Sequence, residues 1–232
     1  MLDQAFEALK GYNWGTDRKP LEEIDAAVAA THGDAAARKD LESRLGAALK
    51  TDISRDAKDY VCRKLMIVGT AACVPVLAEM LSNKDLAHMS RFALERIPGP
   101  EASKALRDAL PKLSGALKIG AITSIGARRD AESVSTLAAL AGDVDAAVAK
   151  AVITALGDLR TAEAAKALSG VKPTDATNKI AAVDANLVCA EGLLAAGKKT
   201  EALAIYKMFS GDEQPSHVRF AGKRGMVLCL GK

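Results

Sequence analysis

Few residues in this sequence have types and spacings that could do chemistry. It holds three histidines, His32, His88 and His217, far apart along the chain. There is no HExxH, which would set two imidazoles on one helix face for zinc, and no Cys/His spacing suits a metal. The four cysteines, Cys62, Cys73, Cys189 and Cys229, form no CxxC pair. Cys62, Cys189 and Cys229 stand among apolar residues, where cysteine behaves as a small buried hydrophobe. No GxGxxG or GxxxxGK[ST] signature offers backbone amides to a phosphate, and no GxSxG presents a nucleophilic serine. The expectation is a non-enzymatic chain, with no cofactor and no metal.

Two constellations are suited to binding instead. Arg128, Arg129 and Arg160 fall at matching places 31 or so residues apart. Their forked donors suit an acidic partner or a phosphate backbone. The alternative is that they satisfy helix ends together with Asp130 or Asp158. Tyr12 and Trp14, in GYNWG, include the only Trp of the chain. An exposed Trp in a Gly-flanked turn is an anchor for a partner; a buried one plugs the end of a core.

The elements that carry these residues repeat. TSIGARRDAESVSTL, from Thr123, and TALGDLRTAEAAKAL, from Thr154, agree at Thr, Gly, Arg, Ala, Glu and Leu with a spacing of 31. Ile122 and Ile125 precede Gly126 as Ile153 and Leu156 precede Gly157. Leu65 and Val68 stand likewise before Gly69, Leu94 and Ile97 before Pro98, and Val227 and Leu230 before Gly231. Apolar residues three apart share a helix face. A glycine just past such a face commonly ends the helix in the left-handed region, so Gly126 and Gly157 are expected at positive φ. Val227 and Leu230 are expected to point inward.

A second helix follows each of the first four. Leu77, Leu106, Leu137 and Leu168 mark them, and seven residues earlier come Thr70, Gly99, Asp130 and Thr161, all fit to cap a helix. Pro75 and Pro100 fall in first turns, where proline is tolerated. Each unit is thus a helix, a turn and a capped helix, with a period near 30. One pair cannot bury its apolar face alone, whereas stacked pairs can. Composition agrees: apolar residues are 49% and aromatics 3%, so the core is built from Ala, Leu, Val and Ile, which allow close helix approach. The net charge of +3 from 32 basic and 29 acidic residues lacks the basic excess of a nucleic-acid binder.

Residues 58–170 resemble the short bacterial HEAT-like repeats first grouped with phycobilisome lyases. The turns IPGPEASKAL, IGARRDAESVSTL and LGDLRTAEAAKAL carry that resemblance. It implies an all-α fold, a right-handed alpha-alpha superhelix of antiparallel helix pairs. Residues 1–57, with helical patterns at 2–10, 20–31 and 34–50, read as an N-terminal cap. Residues 171–232 read as a C-terminal unit in which Ala190, Ala202 and Tyr206 are placed like residues of a tetratricopeptide repeat. The final helix resembles a first half-repeat without its second half. That edge is therefore expected to meet another molecule, to self-associate, or to be continued in a longer chain.

The function implied is a scaffold for protein–protein interaction, with Glu79, Lys104, Arg107, Ser135 and Lys166 on the exposed face of the second helices. The alternative is nucleic-acid binding, as in HEAT-like alkylpurine DNA glycosylases, whose groove is basic and aromatic. Residues 61–205 contain no Trp or Tyr, which speaks against it. No apolar run approaches the ~18 residues of a membrane span. The first residues, MLDQAFEALK, lack the pattern of a signal peptide, so the default expectation is the cytoplasm, with the periplasm or secretion as the alternative for a chain whose signal peptide has been removed.

Overall fold

The structure, a computed structural model, describes residues 1–231. The open edge expected at Lys232 lies, for that residue, outside the described ones. Among the described residues every regular element is a helix. They form two compact units, residues 1–124 and 125–232. The first holds α1 (Leu2–Lys10), α2 (Glu22–Ala30), α3 (Ala35–Leu49), α4 (Arg55–Val68), α5 (Val74–Glu79), α6 (Ala87–Arg96), α7 (Pro100–Ala109) and most of α8 (Gly115–Ala127). The second holds α9 (Val134–Leu140), α10 (Ala146–Leu159), α11 (Ala162–Ser169), α12 (Ala176–Ala195), α13 (Lys199–Met208) and α14 (Ser216–Leu230).

Within the first unit α4 packs against α6 and α5 against α7. Within the second, α10 packs against α12, and α13 against both α12 and α14. The repeat spacing explains this. Leu65, Leu94, Ile122 and Ile153 are at most 1% exposed, and Val68, Ile97, Ile125 and Leu156 are equally buried. Leu77, Leu106, Leu137 and Leu168 fill the opposite side of each pair. Burying one such leucine is worth about 2 kcal/mol. The N-caps also stand where the spacing puts them, at Thr70, Gly99, Asp130 and Thr161. The Thr70 and Thr161 hydroxyls accept from the amides of Ala72 and Ala164, and all four cysteines are buried as free thiols.

Two expectations need correction. Gly126 and Gly157 are not left-handed: both lie inside helices, and the residues at positive φ are Arg129 (φ 52°) and Arg160 (φ 55°). The glycines are required for closeness rather than for backbone freedom. A Cβ on Gly126 would stand 3.0 Å from Ala155 Cα, and one on Gly157 would stand 2.8 Å from the Cα and carbonyl O of Ala185. The helix therefore runs on past each glycine before it ends.

The second correction concerns α14. Val227 is 47% exposed and Leu230 57%, so the expected inward pair faces out. The buried face is instead Val218, Gly222, Gly225 and Cys229. Its two glycines let α14 settle on the Tyr206 ring and the Phe209 carbonyl, which a Cβ at either place would strike. That contact sets the rotation of the helix and turns Phe220, Val227, Leu228 and Leu230 outward.

Candidate functional site

Arg129 and Arg160 end α8 and α10 as matched left-handed residues. Each amide donates to the carbonyl three residues back, that of Gly126 at 2.8 Å and that of Gly157 at 3.2 Å. Arg129 is exposed, whereas Arg128 and Arg160 are half-buried. The Arg160 side chain lies over Gly192 of α12, where a Cβ would meet it at 2.3 Å. Its Nε is buried without a hydrogen-bond partner among the described residues. Half-buried Asp158 feels both arginines. Burial pushes its carboxyl above the usual carboxylate range, and the charges of Arg160 and Arg129 pull it back only in part.

Tyr12 and Trp14 part company. Tyr12 is 4% exposed and packs against Tyr60 with the rings tilted by 56° and 5.9 Å between ring centres. It is a plug of the first unit's core, not a partner anchor. Trp14 is 61% exposed. Its backbone amide donates to Asp56 at 2.9 Å, and the Thr16 hydroxyl closes the turn on the Asn13 carbonyl at 2.7 Å. Behind it the Tyr60 hydroxyl donates to Asp25 at 2.9 Å, and Lys64 and Arg18 pair with the same carboxylate. Burial works to raise the Asp25 pKa, but the hydrogen bonds from Lys64 and Tyr60 and the nearby cations bring it below its ordinary value. A single large apolar side chain is thus held out on a turn that Asp56 and Thr16 fasten.

The first unit has a further arrangement that pattern reading passed over. On α3, Arg38 and Glu42 both reach the turn between α4 and α5. Arg38 donates to the carbonyls of Ile67, Val68 and Gly69, and buried Glu42 accepts from the amides of Thr70 and Cys73 and the Thr70 hydroxyl. The pair Arg91 and Glu95 on α6 repeats the spacing: Arg91 lies over Gly120, and Glu95 accepts from Ser124 at 2.7 Å. The signal was present as RKDLE at 38–42 and RFALE at 91–95.

The Arg38 and Glu42 clamp ties α3 to the turn that leads into α5, and open grooves lie between α3 and α5 and between α5 and α7. The α3–α5 groove encloses about 500 Å³ between Lys39, Gly46, Lys50, Ala72 and Pro75. The α5–α7 groove encloses about 440 Å³, with Val74, Ala78, Leu81, Ala105 and Leu113 along its floor. Its rim carries Glu79, Glu101 and Asp108 against Lys104 and Lys112. Glu79 and Lys104 are exposed there, as Ser135 and Lys166 are on α9 and α11, while Arg107 is half-buried. Among the described residues no group of three His, Cys, Asp or Glu could hold a metal ion. None of the described helices is long and apolar enough to cross a membrane.

Residues 103–185 match the family model for HEAT repeats. Two crystal structures of engineered proteins are similar to the chain. Each is 17% identical with a TM-score of 0.42; one match covers 97% of this chain and 68% of the other protein, and the second covers 90% and 97%. No curated protein matches the chain.

Proposed function

We propose, from the match of residues 103–185 to HEAT repeats, that the chain is a non-catalytic scaffold that binds a protein through the grooves of its second helices. The observation that supports this reading is the α5–α7 groove. Its floor is apolar and its rim is of mixed sign, three carboxylates against two ammonium groups. A phosphate backbone would be repelled by the three carboxylates of that rim, because its binding rests on cation contacts. A protein segment offers apolar side chains for the floor and both charges for the rim. Trp14 supplies a second, separate contact of the kind that anchors interfaces.

A photo-crosslinking side chain at Ala105, inside the groove, tests the reading in the cells that make the protein. A discrete protein adduct at Ala105, absent when the same group replaces exposed His88, is the expected result. Equal labelling at both positions, or none at Ala105, would count against the groove as the binding surface.

A further inference from the structure

The outward face of α14 is apolar and cationic. Phe220 (69% exposed), Val227, Leu228 and Leu230 stand out from it. Between them are Lys223 and Arg224, both exposed. The helix carries three cations, Arg219, Lys223 and Arg224, and no carboxylate. Asp212 takes up Arg219 at 3.3 Å and touches Lys223 only at 3.9 Å, so Lys223 and Arg224 keep most of their charge for a partner.

The outward face of α2 is its complement. That helix, EEIDAAVAA, carries three carboxylates and no cation. Asp25 is engaged by Tyr60, Lys64 and Arg18, which leaves exposed Glu22 and Glu23. Along the same face come Ala26, Ala29 and Ala30, all exposed. This is a flat shelf of small side chains with two negative charges at its start.

The two faces share one register. Lys223, Val227 and Leu230 are separated by four and three residues, as are Glu22, Ala26 and Ala29. With the helices parallel, Lys223 and Arg224 meet Glu22 and Glu23, while Val227 and Leu230 rest on the alanines. Parallel packing over small residues is already how the chain joins α10 to α12. Asn178, near the start of α12, donates to Ala146 at the start of α10, and Ala185 farther along meets Gly157 near its end. We infer that copies of the chain associate head to tail, the α14 face of one seated on the α2 face of the next. Two different surfaces meeting in this way make a heterologous contact, which grows into chains or closes into rings. The inference does not depend on the groove reading, because neither face belongs to a groove of the second helices.

Sedimentation of the full chain over a range of concentrations, at low and at high salt, is the test. The expected result is a mass that rises with concentration and falls with salt. Two charge-reversed variants make it specific, Lys223→Glu with Arg224→Glu and Glu22→Lys with Glu23→Lys. All four side chains are exposed, and unchanged far-UV circular dichroism checks each fold. Each variant alone should lose association by about tenfold or more, because like charges then face each other. A mixture of the two should regain it, since the reversed tail of one fits the reversed head of the other. A wild-type chain that stays monomeric throughout would overturn the inference. So would a closed dimer indifferent to the Glu22 and Glu23 reversal, or a mixture that fails to associate.

Discussion

Arg38 and Glu42 stand one turn apart on α3 and grip the two sides of a single turn in the next repeat. The guanidinium of Arg38 reaches the last carbonyls of α4, with Nε to the Val68 carbonyl at 2.8 Å. The Glu42 carboxylate reaches the first amides of the following helical turn, at 2.7 Å for Thr70 and 3.2 Å for Cys73. Each charge opposes the partial charge of the helix end it meets.

Replacing Glu42 with Ala should therefore destabilise the chain by about 2 kcal/mol or more, since buried amides lose their acceptor. Glu42→Gln, which keeps one acceptor oxygen, should cost less. Urea unfolding measures both, and equal losses for the two variants would contradict the clamp.

Gly157 and Gly46 are both helical glycines with opposite surroundings. A Cβ at Gly157 would meet backbone at 2.8 Å, whereas one at Gly46 would meet nothing within 4 Å. Gly46→Ala should stabilise by up to about 1 kcal/mol through helix propensity. Gly157→Ala should destabilise by about 1–3 kcal/mol through overpacking. Thermal or urea unfolding of the pair checks the contrast, and a gain for both would show that α10 and α12 are not in close approach.

The left-handed arginines differ in the same spirit. A left-handed non-glycine residue costs about 1–2 kcal/mol relative to its ordinary conformation. Arg129→Gly should recover part of that and raise the unfolding midpoint. Arg160→Gly should gain less or lose, because it also strips the side chain from the surface of Gly192. A larger gain at 160 than at 129 would be the contrary result.

Asp158 gives a pH signature. Its folded-state pKa is raised, chiefly by burial, so the native chain holds this proton more tightly than the unfolded one. The carboxylate accordingly opposes folding above its folded-state pKa, and the opposition fades as pH falls toward the ordinary aspartate range. Asp158→Asn should stabilise at neutral pH and lose that advantage in acid. Unfolding midpoints that shift equally at both pH values would sink the assignment.

The mixed-sign groove predicts weak affinity for nucleic acid. Duplex DNA at physiological salt should bind no more tightly than the ~10⁻⁴–10⁻⁶ M of non-specific contact. A tight isotherm that weakens steeply with salt, or release of a methylated base, would reverse the scaffold reading.

The helix pairs were legible because their cause is local. Apolar residues three and four apart, followed by Thr or Asp and then Leu, state which face is buried and where the next helix is capped. Leu94, Ile122, Thr161 and Leu168 all stand as the pattern places them. The purpose of a glycine was not legible. Gly126 reads the same whether the backbone needs a left-handed residue or a neighbour forbids a side chain, and only the proximity of Ala155 decides. The rotation of α14 escaped for a related reason: Gly222 and Gly225 carry no hydrophobic signal, yet they define its buried face. Nothing local marks the role of Arg38 and Glu42, because their partners lie about thirty residues away. Tyr12 and Trp14 read alike as anchor or plug, and only the packing of Tyr12 against Tyr60 and the exposure of Trp14 tell them apart.

The run of helix past Gly126 and Gly157 bears on how such a chain can change length. From Leu65 to Leu77 and from Leu94 to Leu106 the step is 12 residues, while from Ile122 to Leu137 and from Ile153 to Leu168 it is 15. The surplus of three is close to the 3.6 residues of a helical turn. Three residues turn the chain through about 300°, so a hairpin can be longer or shorter by that much while its interior side chains shift in bearing by only about 60°. Hairpins of two lengths can therefore stand side by side in one stack while sharing one hydrophobic pattern.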